Sequence, residues 1–185
     1  MPTYIALLRA VNVGGTGKLP MADLRALIAG LGYANVETYI QSGNAVFDAP
    51  GSGAAVHKAL AAALEKRMGK PVGVLLRTHG QLARVIADNP FAKEAAADGA
   101  RVHVVFLSAV APASAAAELD CVVGANPKRR DRFEFRGDTL YLHLPDGAAD
   151  TKFTPAVISR AVGAAVEATA RNWNTVLKLH QMSAR

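Results

Sequence analysis

Residues 36–48, VETYIQSGNAVFD, decide the fold. Val36 to Ile40 and Asn44 to Asp48 are two short runs rich in β-branched and aromatic residues, with Gln41-Ser42-Gly43 between them. Such runs around a glycine-containing turn predict a β-hairpin. Upstream, Leu24, Leu27, Ile28 and Leu31 recur at i, i+3, i+4 and i+7. That is one face of a helix, opening near Pro20 and stopping at Gly32. Earlier still, Thr3 to Val11 is an apolar run closed by Asn12-Val13-Gly14-Gly15, which predicts a buried strand. Downstream, Val56, Leu60 and Leu64 mark a second helix ended by Gly69, and Val72 to Arg77 predicts a fourth strand. The order is β-α-β-β-α-β, the ferredoxin-like unit.

The pattern then repeats. Thr78-His79-Gly80-Gln81 has capping-box spacing for a short helix, which Asn89-Pro90 ends. Residues 92–100 are Ala-rich and polar and predict a boundary. Beyond them come a strand at Arg101 to Leu107, a helix at Pro112 to Leu119, and a hairpin of Arg132 to Arg136 with Thr139 to Leu144 around Gly137-Asp138. Thr154-Pro155 caps another helix, Glu167 to Ala170 predicts a last short strand, and Trp173, Val176, Leu177 and His180 define a closing amphipathic helix. The expected class is α+β: two tandem ferredoxin-like subdomains with a C-terminal helix. The first spans 1–91, a linker 92–100, and the second 101–185. The repeat rests on element order, because the halves share few residues.

Apolar residues make up 51% of the 185-residue chain, enough to bury a core. No apolar stretch reaches the roughly 20 residues that span a bilayer, so no membrane partner is expected. The N-terminus lacks a basic segment ahead of its apolar run and reads as a strand, not a signal peptide. The single cysteine, Cys121, excludes an intrachain disulfide and a Cys-based zinc cluster, and a reduced, cytoplasmic setting fits best. Its neighbours Val122 and Val123 predict a buried, inert thiol. The net charge of +6 permits phosphate-bearing or nucleic-acid partners without demanding them.

Several blocks look familiar together: LLRAVNVGG, LPMADLRALIAGLGY, VETYIQSGNAVF, NPF, LYLHLPDG and TARNWNTVLKL. In this order, over nearly the whole chain, they resemble the domain of unknown function 1697 family of uncharacterised bacterial proteins. The resemblance implies a two-part α+β fold of the ferredoxin-like kind. It brings no established activity, substrate or cofactor. Thr151-Lys152-Phe153 stands where the family often has Ser-Lys-Leu, a mild departure.

Topology supplies the first candidate site. In this unit the first two strands run the same way, so the end of the first lies at the same sheet edge as the hairpin. That brings Arg9, Asn12, Gly14, Gly15 and Lys18 close to Gln41, Ser42, Gly43 and Asn44. Loop amides, a helix N-terminus and two basic side chains suit an anion. Plain turn chemistry is the competing reading of the same glycines and asparagines. Asn12 to Leu19 is no Walker loop: Asn12 replaces the first glycine and Leu19 the hydroxyl residue that magnesium requires.

A second candidate is Arg171 with Asn174, where Asn172 is placed to cap the closing helix and Arg171 and Lys178 to hold an anion. Trp173 anchoring that helix in the core is the structural alternative. His103 and His143 fall on neighbouring strands, out of phase with the core-looking sets, but two histidines make a poor ligand set, and no metal is expected. Lys128, Arg129, Arg130, Arg132 and Arg136, with Phe133 and Phe135 interleaved, form the best nucleic-acid patch; a charged strand at a sheet edge explains the same residues. The reading adopted is a binder of a phosphate- or carboxylate-bearing small molecule at the first-half loop edge, with no cofactor. Two alternatives stay open. One is a nucleic-acid binder using the basic second half. The other is an enzyme on a phosphorylated or nucleotide-like substrate, working through Arg9, Asn12, Ser42 and Asn44.

Overall fold

The N-terminal apolar run forms β1 (Thr3–Leu8) in the computed structural model, which describes residues 1–12, 18–124 and 130–185. The strand stops at Leu8, short of the expected Val11, because Ala10 and Asn12 turn into the left-handed region at φ 52° and 57°. Next come α1 (Met21–Gly30), β2 (Ala34–Tyr39), β3 (Asn44–Asp48), α2 (Gly53–Met68), β4 (Val74–Thr78) and α3 (His79–Ala87). Their sheet has the order β2-β3-β1-β4, and every neighbouring pair is antiparallel. The helix-side face of β1, Tyr4, Ala6 and Leu8, packs with Leu24 and Ile28 of α1, Phe47 of β3, and Val56, Leu60 and Leu64 of α2. Each large apolar side chain buried there contributes about 1.5–3 kcal/mol. Local signals agree with the elements. Ser52 caps α2, Gly69 closes it at φ 70°, and Thr78 and Gln81 bond reciprocally at the start of α3.

The second set is α4 (Ala92–Ala97), a 3₁₀ turn at Gly99–Arg101, β5 (Val102–Leu107), α5 (Ser114–Gly124), β6 (Arg132–Arg136), β7 (Thr139–His143), α6 (Pro155–Val162), β8 (Ala168–Asn172) and α7 (Trp173–Ser183). Residues 92–100 thus carry helical structure. The sheet order is β6-β7-β5-β8, again antiparallel throughout. Val105, Leu107, Leu140, Leu142 and Leu144 meet Ala115, Leu119, Ile158 and Val162 in a second core. The chain divides into two compact units, Met1–Arg84 with Lys178–Arg185, and Val85–Leu177. The protein is therefore a mixed α+β molecule with two four-stranded antiparallel sheets. Among the described residues no helix is long and apolar enough to cross a membrane.

Three side-chain expectations need correction. In the β5–β7 register Val102 faces His143 and His103 faces Leu142, so the two histidines lie on opposite faces and cannot share a ligand. The phase was misjudged because both faces of β5 carry buried apolar residues. Cys121 is exposed, since α5 turns Ala115 and Leu119 inward instead. Leu177 is 42% exposed, while Trp173, Val176 and Leu179 form the buried stripe of α7.

Candidate functional site

β1 and β3 pair with Leu7 opposite Asn44, and beyond them the Leu8 amide donates to the Gly43 carbonyl at 2.8 Å. This sets the end of β1 against the β2–β3 turn. Asn12 then ties three pieces together. Its Oδ1 accepts from the Leu19 amide at 2.7 Å, and its Nδ2 donates to the carbonyls of Leu19 (2.9 Å) and Gln41 (2.8 Å). Asn44 is fully buried, and its Nδ2 donates to the Tyr39 carbonyl at 2.9 Å and to Ser42 Oγ at 3.0 Å. Glycine is required at 43: the residue sits at φ 78°, and a Cβ there would stand 2.4 Å from Val11 Cγ2 and 2.8 Å from Leu8 Cβ.

Of the expected cluster, Asn12 meets the turn at the Gln41 carbonyl, and Leu8 and Leu19, the neighbours of Arg9 and Lys18, bond Gly43 and Asn12; Gly14 and Gly15 lie outside the described residues. Roles divide within the cluster. The amides of Asn12 and Asn44 are engaged by the protein and shape the edge. The side chains of Arg9, Lys18 and Gln41 make no hydrogen bond or ion pair among the described residues, and Lys18 and Gln41 are exposed. α1 begins just after Pro20 with no side-chain cap on its first amides. Ala10, Asn12 and Ile40 (φ 48°) are three of the four non-glycine residues with left-handed backbone among the described residues, and all stand at this edge. Sequence reasoning missed that concentration. Only Asn12 belongs to a type that visits this region readily.

Arg171 and Asn174 belong to the other unit. Arg171 is buried on β8, opposite Val104, and its Nη1 donates to Thr169 Oγ1 (2.8 Å) and to the Ala170 carbonyl (2.7 Å). Burial pulls its pKa down to about 10, so it still carries its charge at neutral pH. Asn172 Oδ1 accepts the Thr175 amide at 2.9 Å and caps α7. Asn174 sits against Gly99, where a Cβ would come within 2.2 Å of its Oδ1.

The basic cluster is charge-matched over its described part. Arg130 pairs with Asp146, Arg132 with Glu94, and Arg136 with Glu134. Arg132 also lies over the Phe91 ring, 5.0 Å from its centroid. Phe133 and Phe135 pack on the second core, and β6 is a sheet edge. Lys128 and Arg129 lie outside the described residues. One polar cluster had no sequence signal, because its members are about a hundred residues apart. His79 stacks on His180 at 4.2 Å, and His79 Nδ1 is 3.0 Å from Ser183 Oγ. Burial, then the neighbouring His79, lowers the His180 pKa.

Fold and site together define a two-sheet α+β protein with a polar loop edge on its first sheet. The chain matches the family described as protein of unknown function (DUF1697) over residues 1–141, and it belongs to that family. Among solved structures, a conserved bacterial protein from Streptococcus pneumoniae is similar, at 22% identity and a TM-score of 0.71, with 98% of each chain covered. At that identity the likeness speaks to the fold. No curated protein matches the chain in sequence.

Proposed function

We propose that the chain binds a small phosphate- or carboxylate-bearing molecule at the loop edge formed by Arg9, Lys18 and the 40–43 turn. One observation carries this reading: Arg9 and Lys18, without ion partners among the described residues, flank in the chain the left-handed Ala10 and Asn12, and Asn12 bonds the Gln41 carbonyl next to the left-handed Ile40. Such strain costs of order 1–3 kcal/mol per residue and clusters where it serves a site. The described arginines of the second unit's basic cluster are neutralised by carboxylates, which weighs against the nucleic-acid alternative. We read each half as ferredoxin-like and the chain as a duplication. Support comes from the matching orders β2-β3-β1-β4 and β6-β7-β5-β8 and from the helix that follows the last strand in both halves. A single, exposed cysteine supports a reducing cytoplasmic setting.

The test is a thermal-shift titration with phosphate and phosphorylated metabolites. Wild type should gain stability with rising anion concentration. Arg9→Ala should weaken binding by about 1.5–3 kcal/mol, the cost of one charged partner. An equal loss in Arg132→Ala, with none in Arg9→Ala, would move the site to the second half.

A further inference from the structure

His79 carries a lone pair that the fold sets up and does not use. The ring stands at the first position of α3, stacked on His180 at 4.2 Å with 18° between the planes, and its Nδ1 lies 3.0 Å from Ser183 Oγ. All three residues belong to the first unit. A serine hydroxyl has one proton to give. That of Ser183 goes to the His180 carbonyl at 2.9 Å, three residues back along α7. Oγ therefore accepts from His79, and Nδ1 is the ring nitrogen that holds the hydrogen. A neutral imidazole has one N–H, so Nε2 is left as the acceptor. Nε2 makes no hydrogen bond among the described residues, and unlike Nε2 of His180 it is not buried. Holding α7 against α3 accounts for the stack and for the Nδ1 bond. It gives Nε2 nothing to do.

The ring borders a cavity of about 570 Å³, within the size range of small-molecule sites, walled also by Thr3, Thr78, Ser183 and Arg185. Arg185 brings no unbalanced charge to it, because its guanidinium meets Glu37 at 2.5 Å and Asp48 at 3.5 Å. We propose that this cavity is a ligand site for an uncharged small molecule that presents a hydroxyl or an N–H to His79 Nε2, and that Ser183 is the positioning residue that fixes the accepting tautomer. The site is built from other residues than the loop edge and stands whether or not an anion binds there.

Phenol and anisole are suitable probes, since they share a ring and differ in the donor. In isotope-labelled protein at about pH 8, above the ordinary histidine range, NMR should find the His79 hydrogen on Nδ1. Phenol should shift the Nε2 signal and bind about three- to tenfold more tightly than anisole, the worth of one net hydrogen bond. Ser183→Ala removes the partner of Nδ1, so the hydrogen should move to Nε2 and the preference for phenol should vanish. His79→Phe keeps a ring for the stack on His180 and should abolish the preference as well. A hydrogen on Nε2 in wild type, a tautomer unchanged in Ser183→Ala, no binding of phenol, equal binding of the two probes, or a preference that survives His79→Phe would each overturn the assignment.

Discussion

The two sheets carry the same edge and finish it differently. In the first, the Leu8 amide meets the Gly43 carbonyl at 2.8 Å; in the second, the Leu107 amide meets the Asp138 carbonyl at 3.0 Å. Past that shared bond the halves diverge. The first edge closes under Val11 and Leu8 so tightly that Gly43 has no room for a methyl group, and Asn12 binds the loop to the turn. At the second, nothing among the described residues lies within 4 Å of a Cβ built on Gly137, and Ser108 accepts the Glu167 amide at 2.9 Å. Charge diverges too: Arg9 and Lys18 have no ion partner among the described residues at the first edge, while the second turn carries Asp138. A common strand frame thus supplies two edges, and the local residues decide how tightly each is closed.

The largest expected contrast lies in the turn glycines. Gly43→Ala combines overpacking with left-handed strain and should cost about 2–5 kcal/mol. Gly137→Ala, strained at φ 58° but unobstructed, should cost about 1–2 kcal/mol. Equal losses in urea melts would break the comparison. Next, Asn12→Ala removes three hydrogen bonds and leaves backbone groups unpartnered, so about 2–3 kcal/mol should be lost, against less than about 1 kcal/mol for Ser108→Ala. Arg9→Ala should change stability by less than about 0.5 kcal/mol while weakening anion binding, because a strand-end arginine carries little of the core.

The smallest effect is on pH dependence. Burial lowers the pKa of His103 in the second unit, and burial with Arg132 lowers that of His143. In the first unit His180 is lowered likewise. A histidine depressed on folding takes up its proton more readily unfolded. Its stabilisation is therefore full above the ordinary value of 6.5 and is lost as pH falls through the lower folded value. Stability by urea melts should drop between neutral pH and about pH 5, and His103→Leu should flatten that slope. A slope unchanged by His103→Leu would remove the second unit's core histidine from the account.

Much of this frame was legible in the sequence, for identifiable reasons. The hairpin announced itself by β-rich runs on either side of Gly43, and α1 by its apolar spacing. The meeting of the first strand's end with the hairpin turn followed from strand direction alone, and the Leu8 amide bonds the Gly43 carbonyl. What stayed hidden depended on tertiary facts. Periodicity could not say which face of β5 the helices would cover, because both faces are buried, and that placed His103 on the wrong face while His143 is out of phase with Leu140, Leu142 and Leu144 as expected. The β1 strand looked longer than it is because Ala10 and Val11 are apolar, and composition does not reveal a left-handed φ. Nor could it show that Asn12 would be fully engaged by backbone groups, or that Arg185 would reach the Asn35 carbonyl at 2.7 Å.

The central claim is that the first edge holds an anion and the second does not. Selenate soaked into crystals grown without sulfate or phosphate tests it most directly, because selenium gives an anomalous signal at its own position. The account predicts an anomalous peak between Arg9, Lys18 and the 40–43 turn, absent in Arg9→Ala crystals. A peak at Arg130, Arg132 or Arg136 with the first edge empty would contradict it.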